Sequence, residues 1–138
     1  MNNTSQKIAI LPCTGIGQVV GTIARQAAYS VCDDLLPDRT CLVCLPALVK
    51  GVQEDIDMVS GPVVVIEGCK ERCAAHALKL HGGTPSSEIF VPDVLKGTRI
   101  KIRREARRQL TESEQKVADL VAQKAVSAAI MLLKDGAS

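Results

Sequence analysis

Aromatic side chains are almost absent from this chain of 138 residues, which contains one Tyr, one Phe and no Trp. Stacking of nucleic-acid bases needs such side chains, and the net charge of only +2 supplies no strong field for a polyanion, so nucleic acid is not expected as a partner. No apolar run approaches the roughly 20 residues of a membrane span. The polar start MNNTSQK precedes an apolar run too short for a signal peptide. These absences indicate a cytoplasmic protein without membrane contacts.

Aliphatic residues must build the core, because hydrophobic residues make up 46% of the chain. Apolar runs predict strands, and apolar residues at helical spacing predict helices. The strands are predicted over 7–13, 40–48, 63–66 and 88–91, and the helices over 18–36, 50–60, 70–80 and about 112–134, the last behind a capping box that begins at Thr111. This alternation predicts a single α/β domain over residues 1–138. We expect a small, mostly parallel, Rossmann-like sheet of about four strands with helices on both faces.

Cysteines occur at or near the carboxyl ends of three of these strands. Cys13 ends the first, Cys44 lies near the end of the second, and Cys69 follows the third. Because the carboxyl ends of parallel strands lie at the same edge of a sheet, these thiols are predicted to converge. In a reducing compartment, clustered cysteines bind metals or carry out thiol chemistry more often than they form disulfides.

The segment VVVIEGCKERC places a fourth thiol, Cys73, at the start of the third predicted helix. Residues four apart on a helix share a face, so Cys73 is expected to turn back toward Cys69. The helix N-terminus and the neighbouring Lys70 and Arg72 are expected to favour thiolate over thiol. Four thiolates form a tetrahedral site for Zn²⁺.

Other cysteines and two histidines are weaker candidates for the same site. Cys32 lies inside a predicted helix and is expected to pack in the core. Cys41 and Cys44 form a C-x2-C pair, but residues three apart on a strand point to opposite faces, so the two are not expected to chelate one ion. His76 lies three residues beyond Cys73 and offers a Cys3His alternative, whereas His81 at the helix end is a weaker one.

Three stretches that follow predicted strands, CTGIG, CLPAL and IEGCKERCA, together resemble the DGC-domain family, to which zinc binding is attributed. The resemblance covers about residues 8–94. It implies zinc ligands at Cys13, Cys44, Cys69 and Cys73. The family is named for Asp-Gly-Cys, whereas this chain has Glu67 before Gly68 and Cys69, which keeps the carboxylate on a longer side chain.

A closed site of four thiolates favours a structural or regulatory zinc over a hydrolytic one, because catalytic zinc keeps an open position. Two alternatives remain open: a thiol redox enzyme or sulfur carrier that uses Cys69 and Cys73, and an iron–sulfur protein on the same thiols. The glycines of TGIGQVVG do not fit a dinucleotide-binding loop and are expected to let the backbone pass close to the metal. The basic run 99–108 is a candidate surface for a protein partner, and the C-terminal helix is a candidate homodimer face.

Overall fold

Four parallel strands form one sheet in the computed structural model, which describes residues 6–136. The strands are β1 (Ile8–Pro12), β2 (Thr40–Leu42), β3 (Val63–Glu67) and β4 (Ser87–Phe90), in the order β2-β1-β3-β4. The predicted α/β class and parallel sheet are confirmed. The expectation that the chain has no signal peptide rests on its polar start, MNNTSQK. Residues 1–5 of that segment lie outside the described residues.

Helices cover both faces of the sheet. The helices are α1 (Val19–Tyr29), α2 (Leu45–Lys50), α3 (Gln53–Met58), α4 (Cys73–Lys79), α5 (Val91–Lys96) and α6 (Glu112–Gly136). The first face carries α1, α5 and α6, and the second face carries α2, α3 and α4. Side chains of β1 alternate between two separate cores, with Ile8 and Ile10 in the first and Ala9 and Leu11 in the second. A strand that is buried on both faces has an unbroken run of apolar residues in the sequence, as β1 and β3 have.

Predicted boundaries are wrong where a helix follows closely on a strand. The strand expected over 40–48 ends at Leu42, and Pro46 lies in the first turn of α2 rather than at a strand end. Proline is well tolerated there, since the first N–H groups of a helix have no partner inside it. Residues 91–96 likewise form α5, which the sequence analysis did not predict.

The long first helix is confirmed, with an unexpected change of winding at its end. After Tyr29, the segment Ser30–Leu35 continues as a π-helix that includes Cys32. The Leu36 N–H donates to the Val31 carbonyl oxygen at 2.8 Å and closes this wider turn. Such turns are rare and are frequently found near functional sites.

One half of the predicted capping box at the start of α6 is formed, the half in which Glu114 accepts from Thr111. The buried Glu114 carboxylate accepts hydrogen bonds from the Thr111 N–H at 3.0 Å and the Arg103 N–H at 2.8 Å, and from the Thr111 hydroxyl. Burial by itself raises the pKa of the Glu114 carboxyl, but these hydrogen bonds outweigh it and hold the pKa below its usual value. They also fix the basic run 99–108, which otherwise holds only a short 3-10 helix at Arg104–Arg107, against the start of α6. No helix among residues 6–136 combines the length and apolar character needed to cross a membrane.

Candidate metal centre

Cys13, Cys44 and Cys69 lie just beyond the carboxyl ends of β1, β2 and β3, which are neighbours in the sheet. The Cys13 N–H donates to the Ile66 carbonyl oxygen at 2.8 Å and extends the β1–β3 pairing by one residue. The β1–β2 register, in which Ile10 pairs with Leu42, would bring Cys44 opposite the end of β1 if it continued. The structure therefore places these cysteines at one edge of the sheet.

Cys44 is held by its backbone rather than by its side chain. It is the extended residue before α2, and its N–H donates to Asp55 Oδ2 at 2.9 Å. Asp55 is buried beneath this contact, while the Cys44 side chain is exposed. Asp55 could not be singled out from the sequence, because nothing in the pattern of the polar segment 50–60 separates it from its solvent-facing acidic neighbours.

The loop that links β3 to α4 is a tight turn and not the first turn of a helix. The Arg72 N–H donates to the Cys69 carbonyl oxygen at 3.2 Å, and Arg72 has a positive φ of 52°. Helix α4 begins at Cys73, three residues later than predicted. Cys69 and Cys73 therefore lie at the two ends of a turn, and the expectation that they share a helical face is wrong.

The Glu67 carboxylate holds this turn in place. It is fully buried and accepts hydrogen bonds from the N–H groups of Ala74 at 3.1 Å and Ala75 at 2.8 Å. These N–H groups belong to the first turn of α4 and have no partner inside the helix. The carboxylate before Gly68 thus connects the end of β3 to the start of α4 and fixes the backbone on both sides of Cys69.

We expect Glu67→Gln to lower the free energy of unfolding by about 1–3 kcal/mol. The NH2 group of the glutamine would face one of the two backbone N–H groups, which would then lose its acceptor. Urea unfolding at pH 7 measures this change. Glu71→Gln is the matched control, since Glu71 is an exposed carboxylate in the same loop, and its effect should stay within about 0.5 kcal/mol. Equal stabilities of the two variants would show that the Glu67 hydrogen bonds contribute nothing.

Three thiols at this edge interact electrostatically. Desolvation raises the pKa of Cys73, and the nearby Cys13 and Cys69 thiols raise it further, followed by the Glu67 and Glu71 carboxylates. Each of these groups makes negative charge on Cys73 less favourable. The expectation that the surroundings of Cys73 favour its thiolate is therefore wrong for the metal-free protein, and a bound cation would offset this repulsion.

Arg72 is engaged away from the thiols. Its guanidinium group forms an ion pair with Glu88 and lies over the Phe90 ring, 4.7 Å from the centroid. Both partners belong to β4, the strand beyond β3. Arg72 is also not among the groups that shift the pKa of Cys73, so the expectation that Arg72 favours the thiolate is not supported.

Glycines bring the backbones of three segments together beside the thiols. A Cβ added at Gly21 in α1 would lie 2.1 Å from the Gly15 carbonyl oxygen, and one added at Gly68 would lie 3.0 Å from the Val20 carbonyl carbon. The first turn of α1 therefore contacts both the loop after Cys13 and the loop before Cys69. These close approaches join backbone to backbone, which gives the glycines a role independent of a metal.

Cys32 and Cys41 lie apart from this group. Cys32 packs against the first core, and burial raises its pKa to about 11, with a hydrogen bond to Thr40 opposing the rise. Cys41 lies in β2 and packs against the second core, and burial raises its pKa as well. Cys44 instead lines a cavity beside α1, together with Arg25 and Tyr29. The two cysteines of the C-x2-C pair therefore have different surroundings.

The two histidines have different surroundings. His81 Nε2 lies 2.6 Å from the Leu48 carbonyl oxygen, which can only accept, so this nitrogen carries the proton and ties the residue to α2. His76 lines an open cavity of about 410 Å³ between α2 and α4, together with Cys73 and Leu80. His76 therefore shares a surface with Cys73, and His81 does not.

The residue types at this edge suit a metal ion, but their side chains are not arranged to bind one. All six cysteines are free, and the soft thiol donors suit Zn²⁺. Within residues 6–136, however, no three Cys, His, Asp or Glu side chains are gathered closely enough to hold an ion. The backbone brings the cysteines to one edge of the sheet. Their side chains would have to move before three or four sulfurs could bind one ion.

Comparison with known proteins gives one match. A family model described as the DGC domain matches residues 9–117 of the chain. No curated protein and no solved structure matches it. The matched range contains all six cysteines and extends beyond the resemblance expected from the motifs, to the first turns of α6.

Proposed function

This chain belongs to the DGC-domain family, and from that premise we propose that it binds one Zn²⁺ through Cys13, Cys44, Cys69 and Cys73. The observation that carries the proposal is the position of three cysteines directly after three adjacent parallel strands. Cys73 joins them from across the turn after β3. The parallel sheet thus places cysteines from distant parts of the sequence at one edge.

Zinc binding would require cysteine side chains to move, and the two exposed ones have room to rotate. Cys44 and Cys73 are exposed, whereas Cys13 is buried and Cys69 is partly buried. Zinc binding would require these two exposed side chains to turn toward Cys13 and Cys69. Binding would remove the mutual repulsion of the thiolates, because a cation at their centre stabilises the charged form of each sulfur.

With four thiolates the site would be closed, which assigns the zinc a structural or regulatory role. It would join the loops after β1, β2 and β3. Loss of the metal is then expected to loosen these loops before it unfolds the sheet, because both hydrophobic cores lie away from the edge. Free thiols in this number also support a cytoplasmic location, where cysteines stay reduced.

A thiol enzyme or sulfur carrier is the second candidate, since Cys73 is exposed and lines the open cavity beside His76. The raised pKa of Cys73 argues against it, because the thiolate is the nucleophile. An iron–sulfur cluster on the same thiols would give a coloured protein, and zinc would not.

Elemental analysis of protein purified without added metal tests the proposal. We expect about one zinc per chain and no iron, with Cys13, Cys44, Cys69 and Cys73 protected from iodoacetamide until a chelator removes the metal. Cys41 and Cys32 are internal controls, and Cys32 should react slowly in both states because its pKa is about 11. Zinc-free protein that stays zinc-free when titrated with Zn²⁺, or rapid alkylation of Cys69 in zinc-loaded protein, would contradict the proposal.

A further inference from the structure

A second cavity lies at the same edge of the sheet, beside α1. Its volume is about 200 Å³, and it lies between α1, the loop after β1 and the segment that joins β2 to α2. Four polar side chains line it: Thr14, Arg25, Tyr29 and Cys44. Apolar side chains, among them Leu42 and Leu45, complete the wall. Ligands of open parallel sheets bind at this kind of position, beyond the carboxyl ends of the strands.

The polar groups of this cavity have no partners within the described part of the chain. The Arg25 guanidinium makes no ion pair within residues 6–136. Arg25 is only partly exposed. Arg25 and Tyr29 are four residues apart on α1 and therefore share one face of that helix. A partly buried cation without an ion-pair partner in the described residues favours an anion as occupant, and the exposed Tyr29 hydroxyl beside it can donate to the same anion.

We propose that this cavity binds a small organic carboxylate, with Arg25 as its counter-ion and the Tyr29 and Thr14 hydroxyl groups as additional donors. The planar guanidinium presents two parallel N–H groups to the two oxygens of a carboxylate. The body of the ligand lies against Leu42 and Leu45.

The charge and size of the cavity favour a carboxylate over a phosphate. One cation lines it, which balances the single charge of a carboxylate but not the higher charge of a phosphate group. The apolar wall fits a short hydrocarbon chain. The volume of about 200 Å³ is below the roughly 300–1,000 Å³ of cavities for drug-sized ligands, so the ligand has few atoms. The inference does not depend on zinc, since none of these contacts requires it.

An NMR titration of ¹⁵N-labelled full-length protein with propionate tests the inference, with propylamine and inorganic phosphate titrated in parallel. We expect propionate to shift the amide signals of residues around the cavity, with a dissociation constant at least tenfold lower than those of the other two probes. Arg25→Met, which keeps a flexible unbranched side chain but loses the guanidinium and its charge, should weaken propionate binding at least tenfold.

Three further variants make the result specific. Arg25→Lys keeps the charge without the planar fork and should fall between the wild type and Arg25→Met. Tyr29→Phe should weaken binding by a few-fold. Arg99→Met removes an exposed cation outside the cavity and should change nothing. Unaltered propionate binding in Arg25→Met, shifts confined to other surfaces, or tighter binding of phosphate than of propionate would each overturn the proposal. Zinc content measured on the same samples keeps this outcome separate from that of the zinc proposal.

Discussion

Gly21→Ala is expected to lower the free energy of unfolding by more than about 3 kcal/mol, beyond the usual cost of overpacking a core. Alanine normally stabilises a helical position by up to about 1 kcal/mol relative to glycine. Here its methyl group would lie 2.1 Å from the Gly15 carbonyl oxygen, so α1 must move away from the loop after Cys13. Thermal unfolding should show a decrease of about 10 °C or more, given a few degrees per kcal/mol for a domain of this size.

Gly17→Ala is the matched control for this prediction. Gly17 lies in the same loop, and an added Cβ there meets no atom within 4 Å. Its unfolding temperature should remain within about 2 °C of the wild type. A Gly21→Ala protein as stable as the Gly17→Ala protein would show that the loop can move aside at little cost. The close packing of α1 would then have no part in fixing the site.

The sheet could be predicted because its strands carry a physical signal. Val63–Glu67 begins with four buried β-branched residues and is bounded by Gly61-Pro62 on one side and Gly68 on the other, a pattern typical of a strand covered on both faces. Once the strands were assigned and taken as parallel, the convergence of the following cysteines was a matter of topology. Local pattern and connectivity therefore sufficed for the placement of Cys13 and Cys69.

The segment around Cys44 was harder to predict because the pattern there is ambiguous. TCLVCLPAL is apolar almost throughout, and a short apolar run does not distinguish a strand from a buried helix. Pro46 is compatible with the end of a strand and with the first turn of a helix. The Cys44 N–H donates a hydrogen bond to Asp55, eleven residues along the chain, and this bond helps to fix the turn. No local sequence pattern predicts such a bond.

The turn between Cys69 and Cys73 could not be read from the sequence either. Arginine rarely adopts a positive φ, so nothing in CKERC indicates that Arg72 does so and delays the start of α4. Its contacts with Glu88 and Phe90 and the capping by Glu67 are tertiary interactions that hold this conformation. The same applies to the Arg25 cavity, which is assembled from three separate segments.

Replacing the four cysteines one at a time by serine should separate a site of four thiolates from one of three. If about 10–16 kcal/mol of zinc affinity is shared by four ligands, each contributes about 3 kcal/mol, or about 100-fold in affinity. Cys13→Ser, Cys69→Ser and Cys73→Ser are all expected to show this loss in a competition titration with a chelating dye. Cys41→Ser, which alters a partly buried thiol packed on the second core, should bind zinc like the wild type.

Cys44→Ser is the informative member of the series, because the groups that raise the pKa of Cys73 include Cys13 and Cys69 but not Cys44. A loss of about 100-fold, equal to the other three, means that the Cys44 side chain rotates away from the Arg25 cavity to complete a closed site. A small loss means that three thiolates hold the ion and a fourth position stays open to a ligand, which is the arrangement of catalytic zinc. Wild-type affinity in all four variants would refute a zinc centre at this edge of the sheet.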